Sequence, residues 1–378
     1  MANYDRVRQS IKGLNIVSGA LHPECIYLIA EEQYNPKKHG VGYDEWSFVG
    51  DFRIYLYKPL IKETGNEWQG KAYKNMRKMR KVAIVPQNNL GFCGVLYNGD
   101  TISQVTPQKD VESIKWIENA INNLGNRAIT DVAVINDEVY ASAGGGAVYK
   151  RITDNNWQEI ALHTTEKFFS DKNFATGFNC IAGFSKDEIY LGGRNGTLWI
   201  CDSNNWRPIE LPVNEHIEQI VCASNDFVYI KSTRNILKGR KDKWEIIKNN
   251  IFDNSILRRI SWFKNELYIL PSLASAAGLY AMGSDNKIRQ VSVGSIRYNP
   301  NKVIDGNPLF GLESKNDNDN VFIPSGMNDM VVSDELLMIT GNDKVILFNG
   351  ERWFNLFDKN RSEEELRATG TFYDPREL

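Results

Sequence analysis

A short phrase recurs along this chain and constrains its fold more than any other feature. The phrase is an apolar strand, a polar turn and a second strand that ends in an aromatic residue, and one copy runs from Asp131 to Tyr140. The residues that close the copies are Tyr140, Tyr190, Tyr229, Tyr268 and, in a weaker fifth copy, Leu337. The tyrosines are 50, 39 and 39 residues apart, and a period of this length is typical of repeat architectures.

A tryptophan forms a second anchor behind most copies, at Trp157, Trp206, Trp244 and Trp353. These tryptophans follow the closing residue of their copy by 17, 16, 15 and 16 residues. Each unit therefore reads as four short strands in about 40 residues, which is the blade of a β-propeller. We interpret the aromatic anchors as core residues that fill the wedge between blades. Apolar runs such as Val132–Ile135 predict inner strands that are buried on both faces.

The sequence predicts an all-β protein in which residues 1–378 form one β-propeller domain. Seven four-stranded blades are expected, with six as the alternative if one N-terminal unit does not form a full blade. The expected blades span 14–71, 72–107, 128–160, 178–211, 217–250, 256–292 and 326–357. Closure of the ring is expected to pair a strand near Leu14–Val17 with the last blade, because closure removes open strand edges.

Four insertions interrupt the repeat, at residues 30–50, 108–124, 161–177 and 293–320. Helical spacing of five apolar residues from Val111 to Leu124 predicts a short amphipathic helix in the second insertion. The charged tail at 358–378 contains Ser362-Glu-Glu-Glu, which could start another short helix. Insertions in repeat proteins form loops, and loops on one face often carry the binding function.

Composition and motifs argue against several classes of function. The net charge of −2 disfavours a protein that binds nucleic acid through bulk charge. The four histidines are scattered and the five cysteines form no CxxC pair, so no zinc site, other metal site or cofactor is expected. The acids considered for sugar chemistry are Asp131 and Asp329, which we interpret as turn or cap residues, so no enzyme activity is predicted.

Two clusters of basic residues are candidates for binding sites. One runs from Lys71 to Lys81, and it is interpreted as a solvated face or a patch for an acidic protein. The other runs from Arg234 to Lys243 on the outer strands of one blade, where alternation places cations in water. Neither the charged N-terminal residues nor any apolar run indicates a leader or a membrane span, so a cytoplasmic location is expected.

The blade phrase Asp137-Glu-Val-Tyr140, with Gly144-Gly145 and Trp157 behind it, resembles divergent bacterial propellers without WD40 or Kelch signatures. A propeller with irregular insertions also resembles the cytoplasmic immunity proteins encoded beside polymorphic toxins, including those of contact-dependent growth inhibition systems. This resemblance implies a monomer that binds one cognate toxin domain and blocks its active site. The implied toxin is a nuclease such as an EndoU-type RNase, and no direct contact with nucleic acid or membrane is implied.

The resemblance also points to residues for binding the toxin. Tyr34, Tyr43 and Trp46 in the first insertion are aromatic anchors of the kind that dominate protein interfaces. The carboxylates that could face a basic nuclease and speed association are Asp44, Glu45, Asp317 and Asp319. The alternatives are a non-catalytic scaffold for protein complexes and a propeller that binds or cleaves carbohydrate.

Overall fold

The computed structural model of this protein shows short antiparallel strands joined mostly by tight turns. It describes residues 2–22, 25–39, 49–58, 67–77, 81–87, 91–97, 102–105, 129–153, 156–160, 177–249, 256–271, 278–291, 296–298, 312–314, 327–368, 370 and 372–374. Within those residues the strands are accompanied by three short α-helices: α1 (Ala2–Ser10), α2 (Pro36–His39) and α3 (Glu363–Ala368). Among the described residues, no helix is long and apolar enough to cross a membrane.

The strands before residue 160 form three sheets in chain order. Blade 1 comprises β1 (Asn15–His22), β2 (Cys25–Glu31), β3 (Val49–Tyr57) and β4 (Trp68–Arg77). A three-stranded sheet follows, with β5 (Lys81–Gln87), β6 (Gly91–Tyr97) and β7 (Ile102–Val105). Blade 2 comprises β8 (Ile129–Ile135), β9 (Glu138–Ala143), β10 (Val148–Thr153) and β11 (Asn156–Glu159).

Four further four-stranded blades follow along the chain. Blade 3 comprises β12 (Phe178–Ser185), β13 (Glu188–Gly193), β14 (Leu198–Asp202) and β15 (Asn205–Ile209). Blade 4 comprises β16 (Ile217–Cys222), β17 (Val228–Ser232), β18 (Ile236–Arg240) and β19 (Lys243–Ile246). Blade 5 comprises β20 (Leu257–Phe263), β21 (Glu266–Pro271), β22 (Tyr280–Met282) and β23 (Ile288–Gln290). A hairpin of β24 (Ile296–Tyr298) and β25 (Leu312–Ser314) precedes blade 6, which comprises β26 (Met327–Val332), β27 (Leu337–Gly341), β28 (Lys344–Phe348) and β29 (Trp353–Asp358).

The fold is an all-β, six-bladed β-propeller with four-stranded blades, which confirms the fold class. The preferred count of seven four-stranded blades is wrong, and the alternative of six is correct. The segment 72–107 contributes a three-stranded sheet within the described residues, because β7 is followed by no fourth strand there. The chain forms two compact units, one of residues 1–78 and 254–378, the other of residues 79–253.

The first strand does not pair with the last blade, so the expected closure is wrong. β1 pairs with β2 and is the first strand of its own blade, while blade 6 takes all four strands from residues 327–358. A backbone hydrogen bond of 3.2 Å from the Ile16 amide to the Asn342 carbonyl joins the two blades instead. The N-terminal segment is held by side chains as well, since the Tyr4 hydroxyl accepts from the Asp358 amide at 2.9 Å.

The second strand of each blade, not the first, is buried on both faces. Every residue of β13 and β17 is buried, whereas the first strand β8 exposes Val134 at 37% of its surface. The expectation for Val132–Ile135 is therefore wrong in this respect. A first strand lies at the edge of its four-stranded sheet and has a strand of its own blade on one side only, so its apolar run is only partly buried.

The aromatic anchors pack as expected between neighbouring blades of one unit. Tyr190 is fully buried in an apolar cluster built from blades 3 and 4, and Trp244 packs against the same cluster. Trp206 and Trp353 occupy equivalent places between blades 2 and 3 and between blades 5 and 6. Large side chains are needed there because the blades diverge toward their outer strands.

A β-bulge recurs in the first strand of all six blades. The register shifts after the first inward residue, which is buried in each blade: Ile16, Ile129, Phe178, Ile217, Leu257 and Met327. The extra residue re-aims the side chains that follow it. In blade 3 this allows Asn179 Nδ2 to donate to the Ile217 carbonyl of blade 4 at 3.2 Å. In blade 6 Asn328 Nδ2 donates to the Ile16 carbonyl of blade 1 at 2.6 Å.

Candidate partner-binding surface

Antiparallel order fixes the end of a blade at which each connection lies. The turns from first to second and from third to fourth strand lie at one end, here named the hairpin end. The second-to-third connection and the link to the following blade lie at the other, here named the loop end. Insertions 30–50, 161–177 and 293–320 occupy connections of the loop-end type in their own blades. Variable loops on one face are the usual place for binding in repeat proteins.

The first part of insertion 30–50 is a small ordered cluster around Glu32 and His39. His39 Nδ1 accepts a hydrogen bond of 3.0 Å from the Asn35 amide, so Nε2 carries the ring proton and lies 3.2 Å from Glu32 Oε1. Hydrogen bonds from Lys38, from the Asp51 amide and from His39 outweigh burial and lower the pKa of Glu32. Glu32 thus fixes the start of the insertion as a charged carboxylate.

Tyr34 is the predicted binding residue that lies in this cluster. Its ring stacks on the His39 ring with centroids 6.0 Å apart and planes 25° from parallel, and the side chain is half-buried. The other predicted residues lie outside the described residues: Tyr43, Asp44, Glu45, Trp46, Asp317 and Asp319. The helix expected at 108–124 lies outside them too.

The unit of residues 79–253 has its own set of contacts at the loop end of its blades. The link between blades 3 and 4 hydrogen-bonds to the second-to-third turns of both blades. His216 Nδ1 accepts from the Asn195 amide at 3.2 Å, and the Glu215 carbonyl accepts from the Gly196 amide at 2.6 Å. On the other side, the Glu215 carboxylate accepts from the Ser232 hydroxyl at 2.6 Å and from the Arg234 amide at 3.0 Å. The dipeptide Glu215-His216 therefore holds both turns in place.

A groove of about 700 Å³ opens beside this link. It is lined by two segments, Asn195–Trp199 and Pro208–Asn214. Leu211 and Val213 are half-buried and pack against the apolar cluster between blades 3 and 4. The turn at its rim requires glycine, because Gly196 has φ +69° and a Cβ there would lie 2.5 Å from the Val213 carbonyl. The groove is thus a preformed, partly apolar recess in a fixed backbone.

Each of the two acids weighed for catalysis connects neighbouring blades. The Asp131 carboxylate of blade 2 accepts from the Ile181 amide of blade 3 at 3.1 Å. Asp329 of blade 6 accepts from the Ser18 hydroxyl of blade 1 at 2.6 Å and from Arg259 Nε of blade 5 at 2.7 Å. Both carboxylates are buried, so their interpretation as structural residues agrees with the structure.

Within the described ranges, no site for metal-ion or thiol chemistry is assembled. No group of three or more histidine, cysteine, aspartate or glutamate residues there could hold a metal ion. The described cysteines are free thiols, and they are Cys25, Cys180, Cys201 and Cys222. Burial raises the pKa of the Cys222 thiol, so it is a poor nucleophile.

The basic cluster from Arg234 to Lys243 is not a uniformly solvated face. Lys238 is buried, with its ammonium 4.4 Å from the centre of the Phe227 ring. Arg240 donates from Nε and Nη2 to the two oxygens of Glu188 in blade 3, at 2.9 and 2.8 Å. Alternation along a strand predicts exposed side chains only where no neighbouring blade covers the strand. Here blade 3 covers part of the outer strands of blade 4. Of the other cluster, the described side chain of Lys71 lies 5.8 Å from the Tyr73 ring.

Sequence reasoning missed the partner of each anchor tyrosine, although a signal was present. Glutamate stands two residues before three of the tyrosines, and the tyrosine hydroxyl donates to it: 2.8 Å for Tyr140 and Glu138, 2.7 Å for Tyr190 and Glu188. Burial, followed by the hydrogen bond to Glu138, raises the pKa of Tyr140, which keeps the hydroxyl protonated. The bracing role of Glu215 and His216 had no comparable pattern in the sequence.

Comparison with known proteins identifies a relative by sequence. No protein-family model matches the chain. Residues of the chain are 33% identical over 192 positions to the immune protein Tsi7 of Pseudomonas aeruginosa. The chain is a β-propeller distantly related to Tsi7. The match covers 50% of this chain and 56% of Tsi7, so this chain spans little more than half the length of that relative.

Solved structures support the fold alone. A catalytically inactive virginiamycin B lyase from Staphylococcus aureus matches with a TM-score of 0.58 at 9% identity, over 88% of this chain and 93% of the lyase. YCF48 from Cyanidioschyzon merolae matches with a TM-score of 0.56 at 9% identity, over 90% and 97% of the two chains. Identities this low carry no information about ligand or activity.

Proposed function

We propose that this protein is an immunity protein that binds a cognate toxin and neutralises it. The observation that carries the proposal is the 33% identity to the immune protein Tsi7 over 192 residues. The geometry supports it, because a frame of hydrogen-bonded blades presents preorganised loops that lose little entropy on binding. Within the unit of residues 79–253, the braced turns of blades 3 and 4 offer such a preorganised surface to a protein partner.

The mechanism is steric and non-catalytic. One copy of the protein binds one toxin domain in the cytoplasm and covers its active site. A tight complex of this kind buries about 1,600 Å² and depends on a few aromatic or arginine anchors. Tyr34, Tyr43 and Trp46 are the proposed aromatic anchors, and the toxin is proposed to be a nuclease such as an EndoU-type RNase from a contact-dependent growth inhibition system.

The experiment co-expresses the toxin domain encoded next to this gene, with and without this protein, and follows bacterial growth. Growth arrest that is relieved only by co-expression supports immunity. Purified toxin is then titrated with this protein in an RNA cleavage assay. Complete inhibition at one equivalent supports a stoichiometric blocker, and inhibition by a small fraction of an equivalent would contradict it in favour of an enzyme. A protein that neither protects cells nor forms a 1:1 complex by light scattering would overturn the proposal.

A further inference from the structure

Two arginines at the loop end of residues 79–253 carry exposed guanidinium groups without an ion pair to a described residue. Arg194 lies in the second-to-third turn of blade 3, and Arg234 lies in the same turn of blade 4. At the hairpin end of the same blades the situation is different. Arg207 binds Asp242 through two hydrogen bonds of 2.6 and 2.8 Å, and Arg240 binds Glu188. The ion pairs of the hairpin-end arginines stabilise the fold, whereas the loop-end arginines make no ion pair with a described residue.

The backbone beneath Arg194 and Arg234 is fixed by the link between the two blades. Glu215 and His216 hydrogen-bond to both turns, and the His216 carbonyl accepts from the Thr233 amide at 3.0 Å. The two arginines therefore start from backbone positions in a fixed relation, although their side chains extend into solvent. Holding the backbone in place before binding lowers the entropic cost of an interface, and arginine is enriched among binding hot spots.

The groove beside Arg194 gives this surface an apolar component. Asn195, which follows Arg194, lines the groove together with Leu211 and Val213. An apolar recess next to exposed guanidinium groups is complementary to an apolar side chain flanked by carboxylates. Arginine binds a carboxylate through two parallel hydrogen bonds, which adds geometric specificity.

We propose that Arg194 and Arg234, with the adjoining groove, form the docking site for an acidic loop of the toxin. The proposal rests on the proposed function and names the surface and the chemistry of its partner. A discrete protein loop fits better than a nucleic acid. Glu210 lines the same groove, and a short loop can present its carboxylates to the two arginines without passing Glu210, whereas a continuous phosphate backbone would run past it.

The test compares the double variant Arg194→Glu/Arg234→Glu with the single variant Lys243→Glu. Lys243 is exposed and lies at the hairpin end of blade 4, so it controls for charge reversal in the same blade. Binding of each variant to the co-expressed toxin domain is measured by calorimetry at low and moderate salt. The double variant is expected to bind about 100-fold more weakly or worse, and Lys243→Glu within about threefold of wild type. Thermal unfolding of all three proteins confirms that they are folded.

The outcomes separate this inference from the proposed function. A wild-type protein that does not bind the toxin overturns both. A wild-type protein that binds, together with a folded double variant of unchanged affinity, overturns the docking site and leaves the proposed function intact. A labelled single-stranded RNA bound by wild type and lost in the double variant would assign the arginines to nucleic acid and overturn the acidic-loop occupant. Restored binding when an acidic toxin residue is changed to lysine would support the site directly.

Discussion

Arg240 of blade 4 offers a sharp test of how neighbouring blades are held together. Its guanidinium donates to both oxygens of Glu188 in blade 3, contacts Asp226 at 3.0 Å and lies 4.4 Å from the centre of the Phe184 ring. Replacing Arg240 by alanine removes all of these contacts. It also leaves Glu188, whose side chain is only 12% exposed, with the Tyr190 hydroxyl alone as a close side-chain donor.

The size of the effect follows from the exposure of the two partners. Hydrogen bonds to charged groups contribute about 1.5–3 kcal/mol, and a cation–π contact at an exposed site adds about 0.5–1 kcal/mol. Because the Arg240 side chain is 34% exposed, water replaces part of this loss, and about 2–3 kcal/mol is expected. For a unit of this size the Tm falls by about 2–4 °C per kcal/mol, so Arg240→Ala should lower it by about 5–10 °C.

The destabilisation caused by Arg240→Ala should also depend on pH, and the surroundings of Glu188 determine the direction of that dependence. Burial would raise the pKa of Glu188, but hydrogen bonds from Arg240 and Tyr190 outweigh it and lower that pKa. A carboxylate with a lowered folded pKa stabilises the protein fully above its unfolded pKa of about 4.3 and loses this contribution as the pH falls further. The Tm gap between wild type and Arg240→Ala should therefore be large at neutral pH and narrow below about pH 4.

Thermal unfolding followed by circular dichroism measures these differences across pH. Arg240→Lys keeps the charge but cannot bind both carboxylate oxygens, so it should recover about half of the loss. Lys243→Ala, an exposed substitution in the next strand, should leave the Tm within about 1 °C of wild type. An Arg240→Ala protein within 2 °C of wild type, or a gap of equal size at acid and neutral pH, would refute the reasoning.

Three other substitutions test separate parts of the molecule. Asp329→Ala removes the carboxylate that joins blades 5, 6 and 1, so the free energy of unfolding measured with denaturant should fall by about 2–4 kcal/mol. The control Asp334→Ala, at an exposed position of the same blade, should lower it by less than about 0.5 kcal/mol. Gly192→Ala should destabilise by about 1–3 kcal/mol in the same assay, because its Cβ would overlap Ile217 and lie 2.7 Å from Cys180 Sγ. Tyr34→Ala should weaken toxin binding about tenfold or more in calorimetry with little change in Tm, and an unchanged affinity would remove Tyr34 from the proposed interface.

Much of the blade frame could be predicted because it repeats. The copies of the phrase align a buried tyrosine with a partner tryptophan, and the strands of blade 3 run from Phe178 to Ile209 where 178–211 was expected. Tight turns such as Asn136-Asp137, both with positive φ, also follow from local chemistry. The blade count was harder, because a three-stranded sheet and a full blade begin with the same strand pattern.

The candidate site was less predictable because it depends on contacts between distant residues. Arg240 and Glu188 are 52 positions apart, and only the packing of two blades shows that one neutralises the other. The same holds for Glu215, whose carboxylate fixes a turn in the following blade. Periodicity shows which residues face a core, but it does not show which exposed charges lack a partner. Arg194 and Arg240 are equally polar in the sequence, and only the structure separates them.

The placement of these contacts explains how such a frame can tolerate changes in its loops. Asp131, Asn179, Asp329 and Asn328 lie in first strands and join neighbouring blades without help from an insertion. The loop-end arginines make no ion pair with the described parts of the frame, so their replacement costs little stability. We therefore expect partner choice and fold stability to depend on different residues. Substitutions at Arg194 and Arg234 should change toxin binding without shifting the Tm, and substitutions at Asp329 should do the reverse; a protein in which both sets moved both quantities would contradict this separation.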